Sequence, residues 1–345
     1  MIKLSVIVLI YNMEELLPRC LASLERQTMK GIQYILVDDG SKDRSGQICD
    51  EWKPEKHIVK VIHKANEGVV AGWMDGVNVA DGEYVGFVDS DDYIDDDMFE
   101  NLWTPVAENK VDVSMCNHLY EYSGEQRPCK AKIKEGIYKG ERMSEIRYQV
   151  LPKLAESYLS PSLCNKIFRK ELFKSNFPFC NKQVTIADDV SVVLPTMFAA
   201  TSFSYINKPY YHYVTRENST TYTYKENMYF QHEMLLNNLE RAINFYQPNL
   251  PEGAFEMVVS AMGNQWLRMI VRTKLTREKR RQLLCNFYND ERYINAAKTL
   301  RKQSLNKWAK AYCGVVLERK VGKYSMMMWL LQLRNSISNY ISRKG

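Results

Sequence analysis

The sequence lacks several features that define common protein classes. Its eight cysteines are scattered and no Cys-x-x-Cys occurs, which argues against a zinc site or a disulfide framework and favours buried, reduced thiols. No stretch approaches the roughly 18 uncharged apolar residues of a membrane-spanning helix. The first residues do not form a basic segment followed by an apolar one, as a secretory leader does. We therefore expect a cytoplasmic protein without a spanning helix.

Two phosphate-binding motifs are also missing. The turn after the first apolar run reads Tyr-Asn-Met-Glu-Glu, whereas a dinucleotide-binding domain has Gly-x-Gly-x-x-Gly there, and no P-loop pattern occurs. The 345 residues are 45% apolar and 26% charged, which is typical of globular proteins and excludes extensive disorder.

Charge is distributed unevenly along the chain. Residues 1–100 contain 10 Lys/Arg and 20 Asp/Glu, whereas residues 251–345 contain 19 Lys/Arg and 6 Asp/Glu. The net charges are therefore −10 and +13. Acidic clusters suit a divalent cation, and a basic tail suits phosphate or an anionic membrane, although both can also be solvated faces.

Apolar runs alternate with helical patterns over the first hundred residues, as in a parallel sheet covered by helices on both faces. The predicted strands are 4–10, 34–37, 59–63 and 84–88, and the predicted helices are 14–27, 45–52 and 69–80. Farther on we predict strands 111–122, 202–207 and 210–214, a polar loop at 124–136, and helices 144–157 and 187–200. From about residue 225 only helical patterns occur: 226–246, 252–272, 277–288, 290–302, 305–318 and 323–342.

Polar residues follow each of the four predicted strands, where an open α/β sheet binds its ligands. They are Tyr11-Asn12, Asp38-Asp39, Lys64 to Gly68, and Asp89 to Asp92. Asp89 and Asp91 end a buried run and repel each other unless a positive charge lies between them. Mg²⁺ or Mn²⁺ accepts such oxygen ligands together with substrate phosphates. The alternative is an acidic turn before a helix, as we expect for Asp95 to Asp97.

These motifs resemble those of inverting glycosyltransferases of family two. The resemblance rests on Val6 to Asn12, Leu21-Ala22-Ser23-Leu24 with Gln27-Thr28, Val37 to Asp43, Asn66-Glu67-Gly68, Asp81-Gly82-Glu83-Tyr84 and Phe87 to Asp92. A second set is similar to bacterial enzymes that build capsular, O-antigen or exopolysaccharide repeats: Asn165 to Phe173, Ala187 to Val190, and Tyr211-His212-Tyr213 with Arg216 and Ser219. The resemblance covers about residues 2–220.

The resemblance implies a glycosyltransferase-A fold, a nucleotide-diphosphate sugar donor, most often a UDP-sugar, and Mn²⁺ or Mg²⁺. It implies that Asp39 contacts the nucleobase and that Asp189, or else Asp188, is the catalytic base. Asp89, Ser90 and Asp91 would form the Asp-x-Asp motif, with Asp91 in direct contact with the metal. The nucleoside pocket would be lined by Leu9, Ile10, Tyr11, Asn12 and Glu14.

Other assignments carried by the resemblance are more open. Asn66 and Gly68 belong to the donor site, and Asn165 and Lys166 would contact the donor sugar, unless Lys166 is a solvated charge. Trp73-Met74 stands where many relatives have Arg-Asn, so Lys64 or Arg216 would supply the missing cation. His212 is either a further metal ligand or a packed aromatic residue.

We divide the chain into a catalytic domain, 1–222, and a helical region, 223–345. The catalytic domain has a nucleotide-binding half, 1–100, and an acceptor half, 101–222. The last helix is basic and has an apolar stripe that includes Met326, Leu333 and Ile341. Such a helix binds an anionic membrane surface, or else packs on the core or on a homodimer partner.

The predicted function is that of an inverting, hexosyltransferase-type glycosyltransferase in bacterial surface polysaccharide synthesis. Its acceptor would be a glycan on a lipid diphosphate, and the protein would be peripheral on the inner face of the cell membrane. Nucleic acid is not an expected partner, because the basic residues are not joined to a reading motif. The rivals are a catalytically degenerate assembly partner and a sugar-nucleotide nucleotidyltransferase.

Overall fold

The structure is a computed structural model that describes residues 2–122, 125–129, 131, 133–153, 159–215, 226–302 and 307–328. The chain divides into two compact units. The first comprises Met1–Val150, Leu159–Thr221 and Glu233–Leu250, and the second comprises Leu151–Tyr158, Tyr222–His232 and Pro251–Gly345. The domain boundary that we placed at residues 222/223 stays a prediction.

The first unit contains a mixed sheet. Within the described residues its ten strands are β1 (Leu4–Ile10), β2 (Ile32–Asp38), β3 (Ile58–His63), β4 (Tyr84–Asp89), β5 (Tyr93–Ile94), β6 (Val113–Tyr122), β7 (Glu125–Pro128), β8 (Gly136–Lys139), β9 (Lys166–Arg169) and β10 (Ser202–Val214). The order is β3-β2-β1-β4-β9-β6-β10-β5, with β7 on β6 and β8 on β10. The strands β3, β2, β1 and β4 are parallel, as are β6 and β10, whereas β9 is antiparallel to both of its neighbours.

Helices cover both faces of this sheet. They are α1 (Leu17–Glu25), α2 (Ser45–Glu51), α3 (Val69–Asn78), α4 (Met98–Asn109), α5 (Met143–Gln149), α6 (Lys170–Lys174) and α7 (Asp188–Ala199). One face of β1 shares a core with α1 and α4, which include Leu21 and Leu102. On the other face α3 lies so close that a Cβ on Gly76 would be 2.7 Å from Ile7. The α/β architecture that we predicted is therefore confirmed.

The remaining helices are α8 (Met228–Tyr246), α9 (Ala254–Arg272), α10 (Arg277–Asn289), α11 (Glu291–Arg301) and α12 (Lys307–Glu318), followed by a helical stretch at 321–328. In the second unit Trp266 of α9 packs against Phe287 and Tyr293, with ring centroids 5.3 and 6.1 Å away. This helical C-terminal region was predicted from the periodicity. Among the described residues, none of the helices combines the length and apolarity needed to cross a bilayer.

Three local predictions were wrong in detail. The polar loop at 124–136 includes β7, whose exposed residues pair with β6. The helix predicted at 144–157 ends at Gln149, since the residue before Pro152 disfavours helical geometry. The two short strands at 202–214 are the single strand β10, with an irregular register at Pro209, which has no N–H to donate. Residues 329–342 of the last predicted helix lie outside the described residues.

A buried carboxylate holds the second half of the sheet together. Asp112 Oδ2 accepts hydrogen bonds from the N–H and hydroxyl groups of Thr201 and Ser202, at 2.7 to 3.2 Å. Its Oδ1 is 2.9 Å from the guanidinium of Arg169. The start of β6 is thereby joined to the start of β10 and to the end of β9.

We predict that Asp112→Asn lowers the free energy of unfolding by about 3 kcal/mol, because four donors and a cation lose a buried charged acceptor. Urea denaturation measures this change. The control is Asp96→Asn, whose ion pair with Arg26 is half exposed and should contribute less than about 1 kcal/mol. Equal losses in the two variants would contradict the assignment.

Candidate active site

The loops that follow β1 and β2 are joined by hydrogen bonds. Asn12 adopts a left-handed backbone conformation with φ 53°, which asparagine tolerates better than most residues. Its Oδ1 accepts the N–H of Lys42 at 2.8 Å, and its own N–H donates to Ser41 Oγ at 3.0 Å. Glu14 accepts the N–H of Arg44 at 2.9 Å. Asn12 and Glu14 therefore fix the edge at which the nucleoside was predicted to bind.

A cavity of about 230 Å³ opens at this edge. It is lined by Asn12, Met13, Glu14, Glu15, Leu16 and Asp43. Of the other predicted nucleoside contacts, Tyr11 is exposed beside this loop, whereas Leu9 and Ile10 belong to β1 and Ile10 is buried. The cavity thus contains two of the five predicted residues, and the nucleoside contacts themselves stay a prediction.

Asp39 organises the loop between β3 and α3. Its side chain is buried, and its two carboxylate oxygens accept the N–H groups of Glu67 and Gly68, each at 3.0 Å. Gly40 has φ +77°, and a Cβ there would lie 2.9 Å from the backbone nitrogen of Asn66. The Asp39-Gly40 turn therefore fixes the position of this loop. The sequence analysis did not predict this structural role. The nucleobase contact predicted for Asp39 would use the remaining lone pairs of the same carboxylate.

The predicted substitute cation, Lys64, is already paired. Its Nζ is 2.7 Å from Glu67 and 2.6 Å from Asp75. Burial favours the neutral amine, but the hydrogen bonds to these two acids outweigh it and raise the pKa of Lys64. Trp73 is buried in α3, and Arg216 lies outside the described residues. A donor diphosphate would have to compete with Glu67 and Asp75 for Lys64.

A hydrogen-bonded turn follows β4. The N–H of Asp92 donates to the carbonyl of Asp89 at 3.0 Å. The Asp92 carboxylate is buried and accepts the Tyr211 hydroxyl and the N–H of Val214, both at 2.7 Å. The N–H of Asp89 in turn donates to the Tyr211 oxygen at 3.2 Å. Asp92 therefore ties the turn to β10. In the sequence, the only sign of this role was its position beside Asp89 and Asp91.

The structure brings Asp89 close to the acids at the start of α7. Protein atoms crowd around the Asp89 carboxylate, although the residue is exposed to solvent. Reduced hydration, followed by the charges of Asp91 and Asp188, raises the pKa of Asp89 to about 7. Burial, followed by the charges of Asp188 and Asp89, raises the pKa of Asp189 well above its usual value. The two predicted acidic motifs thus share one region of strong negative potential.

Lys166 lies beneath these acids at the start of β9. Its side chain is fully buried, and its Nζ donates to the carbonyls of Ser160 and Ser162 and to Asn165 Oδ1, at 2.6 to 2.7 Å. Burial lowers the pKa of Lys166 to about 8, although the charge of Asp189 opposes this shift. The alternative of a solvated charge is wrong, and contact with a donor sugar would require the ammonium to leave these three oxygens.

His212 packs on the face of β10 opposite to Tyr211, since successive strand residues point to opposite faces. Its ring stacks on Tyr93 with centroids 4.2 Å apart, and Nε2 is 2.9 Å from Asp95 Oδ1. This is the packed aromatic arrangement, and metal binding by His212 stays a prediction. Within the described part of the chain, no group of three or more His, Cys, Asp and Glu side chains is placed to hold a metal ion.

Fold and site together define an α/β protein that gathers acidic groups at the carboxyl edge of its sheet. The family model for glycosyl transferase family 2 matches residues 5–177, half of the chain. The chain belongs to this family, as its motifs predicted.

Curated relatives and a solved structure agree with this assignment. The uncharacterized glycosyltransferase EpsJ of Bacillus subtilis is 30% identical over 63% of this chain and 62% of its own length. The poly(ribitol-phosphate) beta-glucosyltransferase of Bacillus spizizenii is 30% identical over 66% of this chain and 35% of its own length. The chain therefore spans less than two thirds of either relative.

The crystal structure of S. aureus TarS 1–349 in complex with UDP-GlcNAc has a TM-score of 0.64 at 20% identity. The match covers 96% of this chain and 92% of that one. It supports the glycosyltransferase-A fold that the motifs predicted.

We predict that Asp39→Asn loosens the loop before α3, because the amide nitrogen would face an N–H donor. An unmatched buried donor costs about 1–3 kcal/mol, so amide hydrogen exchange at Glu67 and Gly68 should accelerate roughly 10- to 100-fold. Mass spectrometry or NMR measures the exchange, with the exposed Asp50→Asn as the control. Unchanged exchange in Asp39→Asn would show that the hydrogen bonds of Asp39 do not hold the loop in place.

Proposed function

We propose that the protein is a metal-dependent, inverting, hexosyltransferase-type glycosyltransferase. It transfers a sugar from a nucleotide-diphosphate donor, a UDP-sugar, to a hydroxyl of a lipid-linked glycan during bacterial surface polysaccharide synthesis. The observation that carries this proposal is the convergence of the Asp89-Ser90-Asp91 turn with Asp188 and Asp189 in a family 2 chain.

The donor side of the proposal rests on the sheet edge. The cavity beside Asn12 and Glu14 and the buried Asp39 adjoin the strand ends where open α/β sheets bind nucleotides. TarS, which shares the fold, binds UDP and UDP-GlcNAc, and this supports a UDP-sugar as the donor class.

The acidic turn fits a divalent cation. Asp89 and Asp91 would hold Mn²⁺ or Mg²⁺, because a positive charge would relieve both the lost hydration and the repulsion from Asp91 that raise the pKa of Asp89. Oxygen ligands suit both ions, which commonly bind through one or two carboxylates plus substrate phosphates. When bound, such an ion stabilises negative charge on a leaving diphosphate.

Asp189 is the proposed general base. The acceptor hydroxyl attacks the anomeric carbon from the face opposite to the diphosphate and transfers its proton to this carboxylate. The bond between the anomeric carbon and the diphosphate oxygen breaks, the nucleoside diphosphate leaves with the electron pair, and the configuration inverts. Burial and the neighbouring acids raise the pKa of Asp189, which makes the ionised carboxylate a stronger base. Proton transfer of this kind contributes roughly 10²- to 10⁴-fold in rate.

The charge gradient supports the proposed membrane location, and the lipid-linked acceptor is proposed together with it. The acidic catalytic half is repelled by an anionic bilayer, and residues 251–345 carry the opposite charge. We assign the basic C-terminal helix the task of holding the protein peripherally on the inner face of the membrane, beside a lipid-diphosphate-linked glycan. Residues 329–342 of that predicted helix, 323–342, lie outside the described residues.

The metal assignment predicts the behaviour of Asp91→Asn, which preserves the shape of the side chain and removes its charge. Hydrolysis of the best-bound UDP-sugar should fall by about 100-fold or more, and Mn²⁺ should no longer tighten the binding of UDP. Activity assays and calorimetry with and without Mn²⁺ measure this. The exposed Asp96→Asn is the control, and full turnover of Asp91→Asn in the presence of EDTA would refute the assignment.

The base assignment predicts different effects of Asp189→Asn and Asp188→Asn. Asp189→Asn should lower transfer roughly 10²- to 10⁴-fold and leave the affinity for UDP within about threefold, because the base acts on the acceptor. Asp188→Asn should have a smaller effect. If Asp188→Asn is inactive and Asp189→Asn is active, Asp188 and not Asp189 is the general base. A wild-type protein that binds UDP-sugars without hydrolysing or transferring them would favour the degenerate assembly partner.

A further inference from the structure

One short loop contacts both acidic motifs. The thiol of Cys164 donates to Asp89 Oδ2 at 3.0 Å. One residue earlier, the backbone N–H of Leu163 lies near the Asp189 carboxylate and, like the charge of Lys166, lowers its pKa against the larger effect of burial. Residues 160–165, which we call the acid-bridging loop, therefore lie beside both the carboxylate that ends β4 and the Asp189 carboxylate in the first turn of α7.

The acid-bridging loop is fixed by Lys166. An ammonium group has three N–H donors, and all three are used here, on Ser160, Ser162 and Asn165. Asn165 is itself held by β6, since its amide donates to the carbonyl of Cys116 at 2.6 Å and its carbonyl accepts the N–H of Cys116 at 3.0 Å. The ammonium therefore joins Ser160 and Ser162 of the loop to Asn165, which is hydrogen-bonded to β6.

Full burial makes this arrangement demanding. A buried ammonium costs several kcal/mol of lost hydration unless it is fully hydrogen-bonded. A neutral side chain of the same length would leave two partly buried carbonyls and a buried amide oxygen without their donor. Lys166 thus stabilises one conformation of the acid-bridging loop over its alternatives.

We propose that Lys166 is a positioning residue that acts through the acid-bridging loop to hold Asp89 and Asp189 at their working separation. This inference rests on the proposed function for its kinetic consequence only, because the loop geometry can be tested without turnover. A displacement of about 1 Å at a reacting group can lower a rate roughly 100-fold.

The kinetic test compares Lys166→Met with Lys170→Met. Lys170 is half-buried and donates to the carbonyl of Ala80 at 3.0 Å. Lys170→Met is therefore the same substitution at a lysine that does not contact the acid-bridging loop. With Mn²⁺ and the UDP-sugar that stabilises the wild-type protein most, Lys166→Met should lower kcat about 10- to 100-fold and change KM less than about threefold. Lys170→Met should retain wild-type kinetics.

The link through the loop is tested by Cys164→Ser and Cys164→Ala. Serine keeps a hydroxyl donor to Asp89, whereas alanine removes it. Cys164→Ser should therefore keep most of the wild-type kcat and Cys164→Ala should not. Equal kcat values for the two variants would overturn the part of the proposal that concerns Asp89.

A thiol-labelling experiment tests the loop without any activity. Cys164 and Cys20 are buried and Cys285 is exposed, so iodoacetamide followed by peptide mass spectrometry should label only Cys285 of these three in the wild-type protein. In Lys166→Met, Cys164 should become labelled. Cys20, which lies in the core beside the end of β4, should stay protected.

The outcomes separate this proposal from the proposed function. A wild-type protein without hydrolysis or transfer would refute the function, and selective labelling of Cys164 would still establish the fixed loop. Unchanged Cys164 labelling with unchanged kcat in Lys166→Met would overturn the positioning role. Simultaneous exposure of Cys164 and Cys20 would also overturn it, because Lys166 would then stabilise the whole unit.

Discussion

Like charges at close range are the constraint on which the site depends. Asp89, Asp91, Asp188 and Asp189 meet at one edge of the sheet, where burial, followed by the charges of the neighbouring acids, raises the pKa values of Asp89 and Asp189. This repulsion does not stabilise the folded state. A protein that keeps several carboxylates together therefore favours the binding of a positively charged or proton-donating ligand.

Neighbouring groups make the repulsion tolerable. The N-terminus of α7 favours negative charge in its first turn, where Asp188 and Asp189 lie. Lys166 supplies a buried positive charge beside Asp189. Asp92 is removed from the site because the Tyr211 hydroxyl and the N–H of Val214 bind it. The fold thus distributes four acids between α7 and the open turn, and assigns a fifth to the packing of β10.

The sequence predicted the α/β half well because each element has its own period and the acids come directly after apolar runs. It could not predict that β9 inserts between β4 and β6, since a four-residue strand carries little periodic signal. The surroundings of Lys64 and Lys166 could not be predicted either. The partners of Lys64 are three and eleven residues away on a helix and loop, and the burial of Lys166 depends on carbonyl groups, which every residue has.

The direction of β9 has a consequence for how the site can change. Parallel strands bring their ends to the acidic edge, but β9 is antiparallel to β4 and β6 and therefore brings its beginning there. The loop that precedes β9 thus reaches the same edge as the loops that follow β1, β2 and β4. Insertions or deletions in that loop can alter the spacing of the acids while every strand of the sheet keeps its register. In this fold, the geometry of the acidic site and the stability of the sheet can therefore evolve separately.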